Sequence, residues 1–308
     1  MSKQIRIAHS FATLAVALVL SVSAQAGATR TFVSTTGNDS NTSSNCGSVT
    51  PCRTFTAALT VTNSGGEIVV LTCGGYGPAM ITQSVVITAI GVDASITQAT
   101  SGQNALTVNT SGNVTITGLG LHGQGMGNDG ILVNAVGVLN LHNIVAEGFV
   151  NDGVEFNTAS GGGKLLIYDS TFNDNGNDGI QLIGASSIPT AYVHSSSFDN
   201  NLVGASSHGG QMTIADSSAS NNEVGFLSVV GGSLVLLHDS ASFNTSGLSA
   251  GNLSGTGQLY FADCVVANNT KAWAITIGST MAGTNPGTSL IAPGQGTTET
   301  LSTPVTLQ

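Results

Sequence analysis

Positive charge is nearly missing from this chain, which sets 6 Lys and Arg against 16 Asp and Glu in 308 residues and is only 7% charged. Nucleic acids and anionic membranes are held by clustered Lys and Arg, and no cluster exists here, which excludes both as partners. Long apolar runs are missing too. The longest, Phe11 to Val22, is about a dozen residues, short of the roughly 20 that a spanning helix needs, so no membrane span is expected. Cysteine is scarce, four in all, and no Cys-x-x-Cys or Cys/His pair has the spacing of a zinc site. A βαβ fold needs helical periodicity of ten or more residues between strands. The segments available, such as Asp169 to Gly179, are instead Asn- and Gly-rich turns.

What is there begins with Lys3 and Arg6, then the apolar run, then Ala24-Gln25-Ala26. That order is a secretory leader with cleavage after Ala26, so residues 1–26 are set aside and the mature protein is expected outside the cytoplasm. Removing the leader takes away two positive charges and moves the formal charge from −10 to −12, leaving only Arg30, Arg53, Lys164 and Lys271 basic. Export favours a disulfide. Cys46 and Cys52, six apart in a polar loop around Pro51, are the first choice, with free thiols or a bridge to Cys73 as alternatives. Cys264 falls inside a repeat and reads as a small core or turn residue.

Glycine, 41 residues of it, accompanies a period. Val114-Thr-Ile-Thr, Leu139-Asn-Leu-His, Leu165-Leu-Ile-Tyr, Ala191-Tyr-Val-His, Met212-Thr-Ile-Ala, Val235-Leu-Leu-His and Leu259-Tyr-Phe-Ala align with spacings of 25, 26, 26, 21, 23 and 24 residues. The first and third positions are apolar with few exceptions while the second and fourth vary, the signature of a half-buried strand. On this alignment the inward third position reads Ile116, Leu141, Ile167, Val193, Ile214, Leu237 and Phe261. A coil of ~24 residues with two or three short strands cannot bury its apolar side alone, but stacked coils can, each pairing in parallel with the next at about 4.8 Å. The expected fold is therefore all-β, a parallel β-helix over residues 67–278. Residues 27–66 form an N-terminal strand, Cys loop and cap, in which Phe55, Ala58 and Leu59 lie on one face of a short capping helix. Residues 279–308 are expected to be an irregular tail or cap. Asn175, Asn201, Asn222 and Asn269 recur at one position and predict a ladder of stacked amides.

Thr31-Phe-Val-Ser, Gly37-Asn38-Asp39, Cys46, Pro51-Cys52-Arg53-Thr54-Phe55 and Gly65-Gly66-Glu67-Ile68 together resemble bacterial exported right-handed β-helix proteins of the pectin-lyase-like fold. The resemblance implies that fold and export, not an activity. Pectate lyases of this architecture use a basic residue with calcium, and bases are almost absent here. The Asn-x-Asp, Asp-Asp, Gly-His-Gly and Arg-x-Lys motifs of polygalacturonase-like hydrolases do not occur.

Stacking brings distant side chains together. Asp129, Asp152 and Asp178 precede Gly130, Gly153 and Gly179 on consecutive coils, in tight turns expected to need positive φ at the glycine, where they serve the turn, hold a cation such as Ca2+, or share protons. A second acidic column is expected at Asp169, Ser195, Asp216, Asp239 and Asp263. Adjacent rungs suit the carboxylate separation of a retaining glycosidase, which makes Asp216, Asp239 and Asp263 the catalytic candidates. The fourth position, facing outward, reads Thr117, His142, Tyr168, His194, Ala215, His238 and Ala262, and the second adds Tyr192 and Tyr260. His142, Tyr168, Tyr192 and His194 are the expected ligand-binding group, since rings with polar edges suit sugars. The favoured expectation is an exported, non-enzymatic module that binds a neutral polysaccharide or cell-surface glycan, or serves as a surface spacer. The alternative is a polysaccharide lyase or glycoside hydrolase built on stacked aspartates. Placing a carboxylate at the inward position in Ile167→Asp should unfold the central coils, because a charge buried without a partner costs several kcal/mol. An unchanged thermal melt of that variant would show the strand's inward face to be misassigned.

Overall fold

The computed structural model describes residues 27–158, 162–185, 187–252, 254–283 and 290–291, so the expected leader lies outside the described residues. The chain winds as a right-handed parallel β-helix with three sheets. The first sheet has eleven strands, running in order from Ala28–Val33 and Thr62–Val70 through Val138–His142, Lys164–Tyr168, Thr190–His194, Gln211–Ala215, Ser233–Leu237 and Gln258–Ala262 to Thr280–Gly283. The second has ten strands and the third nine. Among the described residues every pairing between strands of neighbouring coils is parallel, as in Leu139↔Leu165↔Ala191↔Met212. Inward residues meet in one core, with Ile116, Leu141, Ile167, Val193 and Ile214 all fully buried.

From the coil of Asn143 onward, each coil bends because one residue at each of two corners is left-handed. At the first corner these are Gly118, Asn143, Asp169, Ser195, Asp216, His238 and Asp263, with φ from 51 to 74°. At the second they are Gly148, Asp174, Asn200, Asn221, Phe243 and Asn268, with φ from 56 to 69°. Gly, Asn and Asp tolerate that conformation, which explains the turn composition. Just past the second corner runs the amide ladder. Asn175 Nδ2 donates to Asn201 Oδ1 at 3.1 Å, Asn201 to Asn222 at 3.4 Å, Asn222 to Asn244 at 3.0 Å and Asn244 to Asn269 at 3.0 Å. Each acceptor also takes a backbone N–H from the preceding coil, as Asn201 Oδ1 does from Asn175 at 3.0 Å.

At the N-terminal end Phe55–Val61 is a short helix whose Phe55 and Ala58 are buried, and Leu59 packs partly against the core. Thr54 Oγ1 accepts from Ala57 N at 3.1 Å, and the Asp39 carboxylate accepts from the N–H groups of Arg53 and Thr54 at 2.8 and 3.0 Å, fixing the helix start. Cys46 and Cys52 form the disulfide. Cys73 is exposed, and Cys264 is buried with its Sγ donating to Ala262 O at 3.2 Å.

Three expectations are corrected. In the coil after Met212 the register is one residue earlier, with Met212↔Leu234, Ile214↔Leu236 and Ala215↔Leu237. Leu236 therefore points inward, fully buried, and Leu237 outward. Leu234 to Leu237 are all apolar, so the alternation that marks the inward face is erased there, and a one-residue slip exchanges the faces. The same slip had hidden Asn244 from the ladder. Second, the regular strands do not stop at 278, since Thr280–Gly283 pairs with Gln258–Phe261, and Leu290–Ile291 extends the second sheet. Third, Gly130, Gly153 and Gly179 are not needed for positive φ. A Cβ at each would lie 2.5, 2.6 and 2.5 Å from the carbonyl oxygen of the glycine one coil on. Close approach of coils is what demands glycine.

Phe243 is anomalous, a bulky residue at φ 61° and 62% exposed in a column of Gly, Asn and Asp. Phe243→Asn should relieve about 1 kcal/mol of backbone strain and raise the melting temperature. An equal or lower melting temperature would show that the ring makes a compensating contact.

Candidate functional site

Because side chains alternate along each strand, the first sheet turns outward a column reading Thr117, His142, Tyr168, His194, Ala215, Leu237 and Ala262, of which Ala215 and Ala262 are buried. His238 is not in it. Beside it runs Thr115, Asn140, Leu166, Tyr192, Thr213, Val235 and Tyr260. Four of the expected rings gather on three successive coils. His142 and Tyr168 stack at 4.7 Å and 12°, Tyr192 and His194 lie at 6.2 Å and 22°, and Tyr168 is tilted by 56° to Tyr192 at 6.0 Å. The His142–Tyr168 separation equals the rung spacing, so these rings stack on each other along the axis. They offer a ligand their edges, with imidazole nitrogens and a phenol hydroxyl, more than their faces.

The expected acidic column is not continuous. The register slip puts His238, not Asp239, at the corner between Asp216 and Asp263. Asp239 lies one residue further on, buried at 2% exposure, where it continues a line of serines. Ser170 N donates to Ser196 Oγ at 3.2 Å, Ser196 N to Ser217 Oγ at 3.1 Å and Ser217 N to Asp239 Oδ1 at 2.8 Å. Asp239 is thus buried one position away from the corner column that holds Asp216 and Asp263, and those two lie two coils apart. What the corner carries is an alternating chain. Ser195 Oγ is 2.8 Å from His194 Nδ1, and His194 Nε2 is 3.1 Å from Asp216 Oδ2. His238 lies between carboxylates, its Nδ1 3.6 Å from Asp216 Oδ1 and its Nε2 3.6 Å from Asp263 Oδ2. An open groove of about 640 Å³ follows this corner, lined by Asp169, Ser195, Asp216, His238 and the hydroxyls of Thr171, Ser197 and Ser218, among others. It borders the ring face, since Tyr168 and His194 each immediately precede a corner residue. These serines were illegible as site residues because Ser reads equally well as a turn.

Asp129, Asp152 and Asp178 do stack, but inside the third-sheet corner rather than on the surface, all 2% exposed or less. Asp129 Oδ1 accepts from Asp152 N at 3.2 Å, and Asp152 Oδ1 accepts from Asp178 N and Asn177 Nδ2, both at 2.8 Å. Asp178 Oδ2 accepts from Ser206 Oγ. Burial pushes the Asp152 carboxyl up to about 8, with the Asp178 and Asp129 carboxylates adding to the rise, and pushes Asp129 up to about 6 and Asp178 to about 7. Among the described residues the group able to approach one cation is Asp129, Asp152 and Glu155, each with an oxygen within 4.8 Å of the others. Three side-chain oxygens fall short of the six to eight that Ca2+ takes, so the site alone is a poor calcium cage. Glu155 had not been singled out, since it is the variable second position of its strand. A smaller groove of about 380 Å³ on the second sheet is lined by His122, Glu147 and Asp174, with His122 Nδ1 2.9 Å from Glu147 Oε1.

The fold is similar to that of the crystal structure of pectate lyase Pel9A, with a TM-score of 0.59 and 15% identity over 82% of this chain and 74% of that chain. At that identity the likeness establishes the fold. No known protein family matches the chain, and no curated protein matches it in sequence.

Carboxyls raised above the usual 3.8 of a free aspartate hold protons in the folded state that the unfolded chain has released. Stability should therefore fall as pH rises from about 4 through about 8, the value to which Asp152 is pushed. Asp152→Asn keeps the acceptor for Asp178 N and removes one titration, so it should flatten the decline and melt higher than wild type at pH 8. Parallel melting-temperature profiles for the two proteins would refute the burial reading.

Proposed function

We propose that this chain is an exported, non-enzymatic module that binds a polysaccharide along the ring face and the corner groove. The observation that carries the reading is the adjacency of His142, Tyr168, Tyr192 and His194 to a groove lined by hydroxyls and carboxylates and free of Lys and Arg. Hydroxyl-rich ligands suit such a surface. Ring edges and serine hydroxyls exchange hydrogen bonds with sugar hydroxyls, and the exposed C–H edges of sugars pack on the tilted Tyr192. The surface is open and shallow, so binding is weak and cumulative across coils. It leaves polygalacturonate, an anionic polymer, without a cation to neutralise it. Export rests on the leader pattern and agrees with the Cys46–Cys52 disulfide. No helix among the described residues is long and apolar enough to cross a membrane.

A cleaving enzyme remains the second reading, and one observation favours it. Asp169 and Asp216 line the same groove two rungs apart, roughly 9.6 Å along the axis, near the upper end of the inverting range of about 6.5–9.5 Å. Release of reducing ends or unsaturated products from a polysaccharide panel separates the two readings.

Each ring should contribute on the order of 1 kcal/mol, so Tyr168→Ala combined with Tyr192→Ala should weaken binding by roughly tenfold or more. Affinity electrophoresis through gels carrying neutral and acidic polysaccharides measures this. Equal retardation of wild type and double variant would reduce the face to plain sheet surface and favour the spacer role.

A further inference from the structure

The left-handed corner beside the ring face holds its column from Asn143 to Asp263 in one backbone conformation, φ 51° at Asn143, Asp169 and Ser195, 52° at Asp216, 58° at His238 and 54° at Asp263. Side chains from that column therefore leave the solenoid in the same direction, one per rung. Along it the carboxylates fall on alternate coils, Asp169, Asp216 and Asp263, roughly 9.6 Å apart. All three are exposed. The intervening residues Ser195 and His238 separate them. In the tautomer with its proton on Nε2, His194 donates to Asp216 while its Nδ1 accepts from Ser195, which orients that carboxylate. Asp169 has no side-chain partner among the described residues.

Resting on the glycan-binding reading, we infer that the polysaccharide taken by this groove carries free amino groups, as a polymer of glucosamine does, and that Asp169 and Asp216 in the groove, with Asp263 two coils beyond Asp216, receive them. A sugar unit in an extended chain is comparable in length to one rung, about 4.8 Å. In a two-fold extended chain the same substituent returns to the same side at every second sugar, which is the period of the carboxylates. An ammonium group at that position makes charge-assisted hydrogen bonds to a carboxylate already oriented for it. The remaining sugar hydroxyls meet Thr171, Ser197 and Ser218 in the groove. N-acetylation removes the charge and adds bulk at the same point, so the acetylated polymer loses this contribution.

The test compares a short glucosamine oligomer with its fully N-acetylated counterpart by isothermal titration at neutral pH, where an ordinary imidazole is mostly uncharged, using the full chain. Wild type should bind the amino form on the order of tenfold tighter at low salt. The preference should shrink sharply in ~1 M salt, where the Debye length is about 3 Å. Asp169→Asn with Asp216→Asn should bring the ratio of the two affinities close to one. The variant should fold, because Asn143 already occupies this column in the same conformation. Equal affinities in wild type, or a ratio unmoved by the double substitution, overturns the amino-group inference while leaving glycan binding standing. If neither oligomer nor any polysaccharide binds, both readings fall together.

Discussion

Everything in this molecule follows from the parallel stacking of coils at a spacing of about 4.8 Å, which sets each residue directly over its counterpart one coil away. A residue type that suits its neighbour is rewarded along the whole axis, and one that repels its neighbour is penalised at every rung. Apolar side chains stack inward without difficulty, as in Phe172 on Phe198 at 5.7 Å and 13°. Amides do better than most polar groups because each Asn is donor and acceptor at once, so Asn175 to Asn269 close a hydrogen-bonded line with no unmatched end between coils. Serine hydroxyls achieve the same at Ser170, Ser196 and Ser217 by accepting a backbone N–H from one coil and donating to a carbonyl of their own.

Carboxylates are the exception, since an ionised column has acceptors only and like charges at every rung. The chain handles them in two ways. Inside, Asp129, Asp152 and Asp178 are buried where the charged form is disfavoured, and each takes polar hydrogens from its surroundings. Outside, the first corner never places two carboxylates on adjacent coils. Asn143, Ser195 and His238 alternate with Asp169, Asp216 and Asp263, which doubles the distance between like charges and supplies an imidazole to Asp216 from either side.

The same stacking explains what was legible in the residues and what was not. Columns of Ile, Leu and Val at the inward third position, of Asn at the second corner and of Gly before the third sheet repeat because each must fit its neighbour, so their spacing exposes the fold. The tract Ser233 to Leu237 defeated that reasoning. Its four consecutive apolar residues satisfy either register, and only pairing with Gln211–Ala215 decides that Leu236 is inside and His238 at the corner. The ring group on the first sheet was legible because Tyr and His are rare here, whereas the mutual stacking of His142 on Tyr168 depends on rotamers that no pattern reveals. The groove was legible only through Asp169, Ser195 and Asp216 of its corner, for the rest of it is serines that resemble turn residues.

Function on such a scaffold is written in columns rather than in a pocket. A deep pocket requires convergent walls, and a flat stack of coils offers instead long parallel tracks whose chemistry is set by what occupies one position from coil to coil. Inward columns have no freedom to change without losing the core, and the corner columns are limited by positive φ to Gly, Asn, Asp and a few tolerated others. The outward positions of the first sheet and the charge pattern of its corner are what remain to vary. That is where the aromatic rings and the alternating carboxylates of this chain are found, on adjoining tracks that overlap at the coil of Tyr168 and Asp169, and a linear repeating polymer is the ligand whose own periodicity can meet them at several points at once.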